Sequence, residues 1–362
     1  MAGMAAADEN GHIEVNVGFE GAAGRSAALD AASEVKREFA FDAVTIEVPE
    51  QAIQGLESNP NVRYVEENGE MHALGDTVPY GIDLVEAIDA HDKGYRGDGA
   101  SIAIIDTGIE SNHESLPNVV GGAAFDQCST GSFACWFGGN GNPCNEDWDD
   151  DHDHGTHCAG TAAAPDNGVG VVGVAPDADL YAVKVLTCTG GGSFSDIAAG
   201  IEWTADQGID VGSMSLGGSS SNAVEDAVEY ADDHGVLLVA AAGNDGCGGC
   251  VSYPAAYDEV MAVSATDEND TLASFSSYGP EIEIAAPGVD VLSTVAQSDY
   301  DEFSGTSMAC PHVAGAGAIL MAEGRTADQA RQLLKDGADD IGLPSDQQGD
   351  GRLNVADSVD LL

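Results

Sequence analysis

The chain has 362 residues, room for one large domain beside a small one or for two of medium size, and 43% apolar residues, enough for a full core. Lys and Arg number 11 against 63 Asp and Glu, a formal charge of −52, which excludes nucleic acid and anionic membranes as partners. The acidic residues are dispersed among periodic apolar ones, which describes a folded, hydrated surface suited to molar salt, where the Debye length shrinks to about 3 Å.

The start, Met1-Ala-Gly-Met-Ala-Ala-Ala-Asp8, lacks a basic region but has the small-residue ending of an export signal, so residues 1–10 are expected to be a signal-peptide remnant. His12–Phe19 alternates like a strand, Ala27–Phe39 has helical spacing, and Ala43–Val48 alternates again. Pro49–Leu56 reads as a helix with proline in its first turn, and Asn61–Glu66 closes as a strand. These elements make a small α+β (ferredoxin-like) module over residues 1–74 with no catalytic cluster of its own.

After Gly75 short apolar runs alternate with helices. The strands are expected at Ala100–Ile105, Asp179–Leu186, Val211–Leu216, Val236–Ala240 and Val260–Ser264, with helices at Ser195–Gln207 and Ala223–His234. This is an α/β pattern: a mostly parallel sheet covered by helices on both faces, with functional residues at the carboxyl ends of its strands. Ser304–Met321 is almost uncharged and reads as a buried central helix. Ser307 falls in its first turn, beside unpaired N–H groups and the positive end of the helix dipole. Pro311 is expected in that turn too, where no N–H is needed. No apolar stretch is long enough, with suitable flanks, to span a membrane.

Four signals carry chemistry. Asp106 ends the first apolar strand before Thr-Gly, His154-Gly-Thr-His157 opens an Ala-rich helix, Asn244 ends the run Ala240-Ala-Ala-Gly243, and Ser307 opens the central helix. Taken singly, each reads as a turn or a cap. The two histidines lack the Glu and the four-residue spacing of a zinc-binding metalloprotease helix. Together and in this order, the motifs Asp106-Thr-Gly, His154-Gly-Thr-His, Ser215-Leu-Gly-Gly218, Ala242-Gly-Asn244 and Gly305-Thr-Ser-Met-Ala309 resemble the subtilisin-like serine proteases, the subtilases, over about residues 75–340.

The resemblance implies an Asp106–His154–Ser307 triad, with Asn244 and the Ser307 N–H as oxyanion donors. It implies protein substrates held as an added strand between Gly190-Gly191-Gly192 and Ser215-Leu216-Gly217. Ala240–Gly243, with Ala241 and Gly243 at its wall, would line the pocket before the scissile bond, and Asp245 at its rim would admit basic side chains. His157 is expected to be structural. Residues 1–74 resemble the subtilase propeptide, whose Tyr64–Leu74 tail would lie in the active site as product, with the cut near Leu74–Gly75 ahead of a mature start at Val78-Pro-Tyr-Gly81. The acidic composition resembles the halolysins, whose further C-terminal domain is not expected here. A catalytically dead relative acting as a binding module would lack a triad member, and every member is present.

A calcium site is implied at Asp76, Pro165, Asn167, Val169 and Val171, although Ser115 stands where the pattern expects an aspartate. Glu146–Asp153, dense in carboxylates, is a second calcium candidate within an unusually long Gly121–Asp153 segment. Cys158 and Cys310 sit on apolar helices and read as buried thiols, while Cys247 and Cys250 read as a structural bridge. Cys128, Cys135, Cys144 and Cys188 allow two bridges in any of three pairings. Disulfides agree with export, so a secreted, extracellular monomer is expected.

Overall fold

The chain divides into two units, Met1–Leu74 and Gly75–Leu362. A computed structural model describes residues 12–67, 76–129, 135 and 139–362. The expected signal remnant and the Leu74–Gly75 junction lie outside the described residues.

The first unit runs β1 (His12–Phe19), α1 (Gly21–Ala31), β2 (Glu34–Phe39), β3 (Ala43–Pro49), α2 (Glu50–Glu57) and β4 (Val62–Glu67), with an antiparallel sheet ordered β2-β3-β1-β4. Val15, Val17, Ile46 and Val48 meet Ala28, Ile53 and Leu56 in its core. The helix expected over Ala27–Phe39 is a correction. It ends at Ala31, and Glu34–Phe39 is a strand whose residues are nearly all exposed. An edge strand without a buried face shows no alternation, and its apolar residues extended the helical spacing by accident. Pro49 caps α2 from outside rather than standing in its first turn.

In the second unit two short helices, α3 (Tyr80–Leu84) and α4 (Ala87–Asp92), lead into β5 (Ser101–Asp106). There follow β6 (Val119–Ala124), α5 (His154–Ala163), β7 (Asp179–Lys184), α6 (Phe194–Asp206), β8 (Val211–Met214), α7 (Asn222–Asp233), β9 (Leu237–Ala241), β10 (Val260–Thr266) and β11 (Ile282–Pro287). A hairpin of β12 (Val291–Val295) and β13 (Asp299–Phe303) precedes the central α8 (Thr306–Ala322) and α9 (Ala327–Asp336). Strands β5 to β11 form one parallel sheet in the order β11-β10-β9-β8-β5-β7-β6. Side chains alternate across it. Ile102 and Ile104 enter the core under α5 and α8, whereas Ala103 and Ile105 enter the one under α6 and α7.

That order fixes where a site can form. β5 lies between β8 and β7, so the chain leaves it towards one edge and returns to build the other. The carboxyl end of β5 is therefore a switch point, where the loops part and leave a crevice. Helices α5 and α8 cross close beneath it. A side chain at Gly315 would strike the Ala162 carbonyl at 2.6 Å, so only glycine permits this approach.

Candidate active site

Asp106 is the last residue of β5 and is wholly buried. Its Oδ1 lies 2.8 Å from His154 Nδ1 and also accepts the Thr107 N–H at 2.7 Å. A carboxylate only accepts, so His154 carries its proton on Nδ1 and leaves Nε2 as the acceptor. His154 is the first residue of α5, and its side chain keeps 21% exposure. Burial pushes its pKa down, but the charge and hydrogen bond of Asp106, helped by Asp150, outweigh this and hold it above the ordinary 6.5.

Ser307 is the second residue of α8 and is partly exposed, with its hydroxyl donating to the Ser215 carbonyl at 3.3 Å. Its placement turns on Pro311. The helix begins at Thr306, so Pro311 lies inside it and not in the first turn as expected. A proline has no N–H to give the carbonyl four residues back, which is that of Ser307. That carbonyl instead accepts from Ser215 Oγ at 2.8 Å and from Cys158 Sγ at 3.5 Å. Pro311 thereby ties Ser307 to the end of β8 and to the helix that carries His154.

Asn244, just past β9, is oriented by Thr306, whose N–H and hydroxyl donate to its Oδ1 at 2.9 and 3.0 Å. Its Nδ2 has no acceptor among the described residues and lies beside Gly305 at the start of α8. A carbon added to Gly305 would lie 3.5 Å from Asn244 Nδ2 and 3.6 Å from the Ser307 N, so the two donors flank one small volume. Such a pair suits a developing negative oxygen.

Beside His154 lies a cleft of about 430 Å³. His154, Gly190–Gly192 and Ser215–Gly217 all line it, with an apolar lining that includes Leu186, Phe194, Ile197, Val224, Tyr253 and Pro254. Ala241 and Gly243 are not on its wall. Ala241 is buried in β9, and the Gly243 N–H donates to Thr306 Oγ1 at 3.1 Å. His152, which sequence reasoning did not single out, lines the cleft beside His154 at a ring separation of 6.2 Å. His157 points elsewhere, stacked on Phe303 with Nε2 at 2.9 Å from the Val291 carbonyl.

The Subtilase family model matches residues 97–354. The alkaline protease of Alkalihalobacillus alcalophilus is 44% identical over 315 residues, covering 86% of this chain and 78% of that protein. Subtilisin NAT of Bacillus subtilis subsp. natto is 42% identical over 328 residues, covering 89% and 82%. The thermostable alkaline protease of Halalkalibacterium halodurans is 45% identical over 302 residues, covering 83% and 78%. The chain belongs to the subtilase family. It is a serine-type endopeptidase.

Two expectations for this subtilase are tested by its donor atoms. In the loop of Pro165, Asn167, Val169 and Val171, the Asn167 side-chain oxygen accepts the Val169 N–H at 3.0 Å, and the Val169 carbonyl accepts Ser115 Oγ at 2.7 Å. Ser115 also meets the Tyr300 hydroxyl at 2.6 Å, so a neutral pair stands where a carboxylate was expected. Asp76 accepts the Gly168 N–H at 3.0 Å, and its other oxygen is buried without a protein partner among the described residues. The set thus offers one carboxylate with a buried, unpartnered oxygen and carbonyls that keep a second lone pair, while Ser115 adds no charge to it. The Glu146–Asp153 run is spent within the protein. Asp149, Asp150 and Asp151 are buried and turned onto protein donors, Asp151 pairing at 2.7 Å with the fully buried Lys184.

The open cysteine pairing resolves into Cys128–Cys144 and Cys135–Cys188, and Cys247 is bonded to Cys250. Cys158 and Cys310 are free and buried. Loss of water raises both, Cys310 to about 11, so they stay thiols.

Proposed function

We propose that this subtilase cleaves peptide bonds through Asp106, His154 and Ser307, with Asn244 and the Ser307 N–H as oxyanion donors, and that residues 1–74 are its propeptide. The observation that carries the reading is the 2.8 Å contact of buried Asp106 with His154 at the head of a peptide-sized cleft. A serine hydroxyl is a weak nucleophile at neutral pH. As Ser307 Oγ leaves the Ser215 carbonyl for the substrate carbon, Nε2 of His154 takes its proton. Asp106 steadies the imidazolium, which then protonates the leaving amine, and water repeats the sequence on the acyl-enzyme.

Gly190–Gly192 is exposed and the second segment rises from buried Ser215 to exposed Gly217, so the two offer a pair of edges to an extended peptide. The apolar lining of the cleft favours large apolar side chains, so specificity is broad. The charge of −52 supports adaptation to high salt, and three disulfides support an extracellular monomer. The first unit acts as folding template and inhibitor and is released by the enzyme's own cut near Leu74–Gly75. Casein hydrolysis at high salt, with and without a serine-directed inhibitor, tests the reading. Activity is expected to vanish with the inhibitor and in Ser307→Ala, and hydrolysis that survives both overturns it.

A further inference from the structure

We infer that Asp150 is a positioning residue for this reaction, a buried carboxylate that clamps the strand end bearing Asp106 to the helix bearing His154. The inference rests on the triad proposed above and asks what holds its two polar members in register.

Asp150 is wholly buried. One oxygen accepts from Thr107 Oγ1 at 2.9 Å and from the His152 and Asp153 N–H groups at 2.9 and 3.1 Å. The other accepts from the Thr156 N–H at 2.9 Å and from Thr156 Oγ1 at 2.7 Å. Both hydroxyls already accept an N–H, Thr107 from Gly155 at 2.9 Å and Thr156 from Glu110 at 3.1 Å, so their protons can only point at Asp150. Five donors therefore converge on an acceptor-only group, which is an ionised carboxylate.

The five donors come from two places. Thr107 follows Asp106 directly, whereas His152, Asp153 and Thr156 surround His154 on both sides in sequence. The carboxylate is thus the joint between the two arms of the triad. It has no Lys or Arg partner among the described residues, for Lys184 is spent on Asp151, Thr107 and Leu186. A buried charge without a counter-ion is costly. The positive charge that forms near it is the imidazolium of His154, which Asp150 favours along with Asp106. The titratable groups around that ring are Asp106 from β5, Asp150 and His152 from the preceding loop, and Cys158 from α5, while His157, turned to Phe303, acts only through space.

Asp150→Asn tests the charge and Thr107→Val tests the joint. Wild type and Ser307→Ala are assayed first on a chromogenic peptide. Activity that disappears in Ser307→Ala secures the reading beneath this inference. Folded Asp150→Asn should lose about 10-fold or more in kcat with KM little changed. The acid limb of its kcat/KM profile should move down by about half a pH unit or more, because a negative charge favouring the imidazolium is gone. Thr107→Val should lose kcat on a similar scale with the limb unmoved, since the charge stays. A folded Asp150→Asn with the wild-type limb overturns the inference, whatever its kcat. If Asp150→Asn does not fold, Thr107→Val with wild-type kcat overturns it. If wild type turns nothing over, the triad reading fails by itself. NMR titration of His154 in Ser307→Ala, with and without Asp150→Asn, then decides the role of Asp150 by the same downward shift.

Discussion

Replacing Asn244 separates two tasks of one side chain. Its Oδ1 accepts both donors of Thr306, and its Nδ2 faces the volume shared with the Ser307 N–H. Asn244→Ala removes both functions. It orphans the N–H of buried Thr306, at a cost of about 1–3 kcal/mol in stability, and it removes one oxyanion donor. In subtilisin, loss of the side-chain donor lowers turnover about 10²–10³-fold, and that borrowed figure sets the size expected here. Asn244→Asp keeps an oxygen for Thr306 but replaces the donor with a second negative charge against the oxyanion. It should therefore keep the wild-type Tm at neutral pH yet lose at least as much turnover as the alanine variant. Steady-state kinetics on a peptide anilide, with calorimetry alongside, measure both. Turnover in Asn244→Asp within threefold of wild type, or an effect confined to KM, would refute the oxyanion assignment.

Four further outcomes follow from the same features. Mature enzyme should lose fold and activity below about molar NaCl as its carboxylates become unscreened, and full stability at low salt without divalent ions would contradict this. Ser307→Ala should accumulate as one full-length chain while wild type yields a heavy fragment starting within a few residues of Gly75; processing of the purified variant at the wild-type rate would exclude self-cleavage. Only neutral His154 can accept a proton, and Asp106 raises its pKa, so kcat/KM should fall with decreasing pH along a limb placed above 6.5. A limb below the ordinary imidazole value would break that link. His157 and His312 are buried and pushed down to about 4 by loss of water. The unfolded chain binds their protons first, so stability is full above about pH 6.5 and declines towards 4, by up to about 3 kcal/mol for each histidine. His312→Gln should show a shallower acid decline in Tm, and an identical decline would clear His312.

Much of the fold was legible because β5, β7, β8, β9 and β10 are buried on both faces and read as continuous apolar runs. The Gly-rich edge strand β6 carries no such run and was invisible, as was the mostly exposed β13. The four polar residues of the site were legible because their motifs recur in order. Their supports were not. Asp150 looked like one more acid in an acidic loop, because sequence cannot tell a carboxylate facing solvent from one holding five buried donors. Pro311 looked like a first-turn proline, since the start of α8 is set by Gly305 and the Asn244–Thr306 bond. The cysteine pairing depends on where the Gly121–Asp153 segment folds back, and spacing alone left all three pairings open. Leu186, Phe194 and Tyr253 meet only after the chain crosses the sheet, so no local pattern announces the cleft.

Covalent labelling tests the central claim most directly. Mature enzyme in high salt is treated with a fluorophosphonate and digested, and the adduct is located by mass spectrometry. One adduct per chain is expected, on Ser307, forming in step with loss of activity and absent after denaturation or in His154→Ala. Complete inactivation with Ser307 unmodified, or labelling of Ser307 undiminished in His154→Ala, would contradict it.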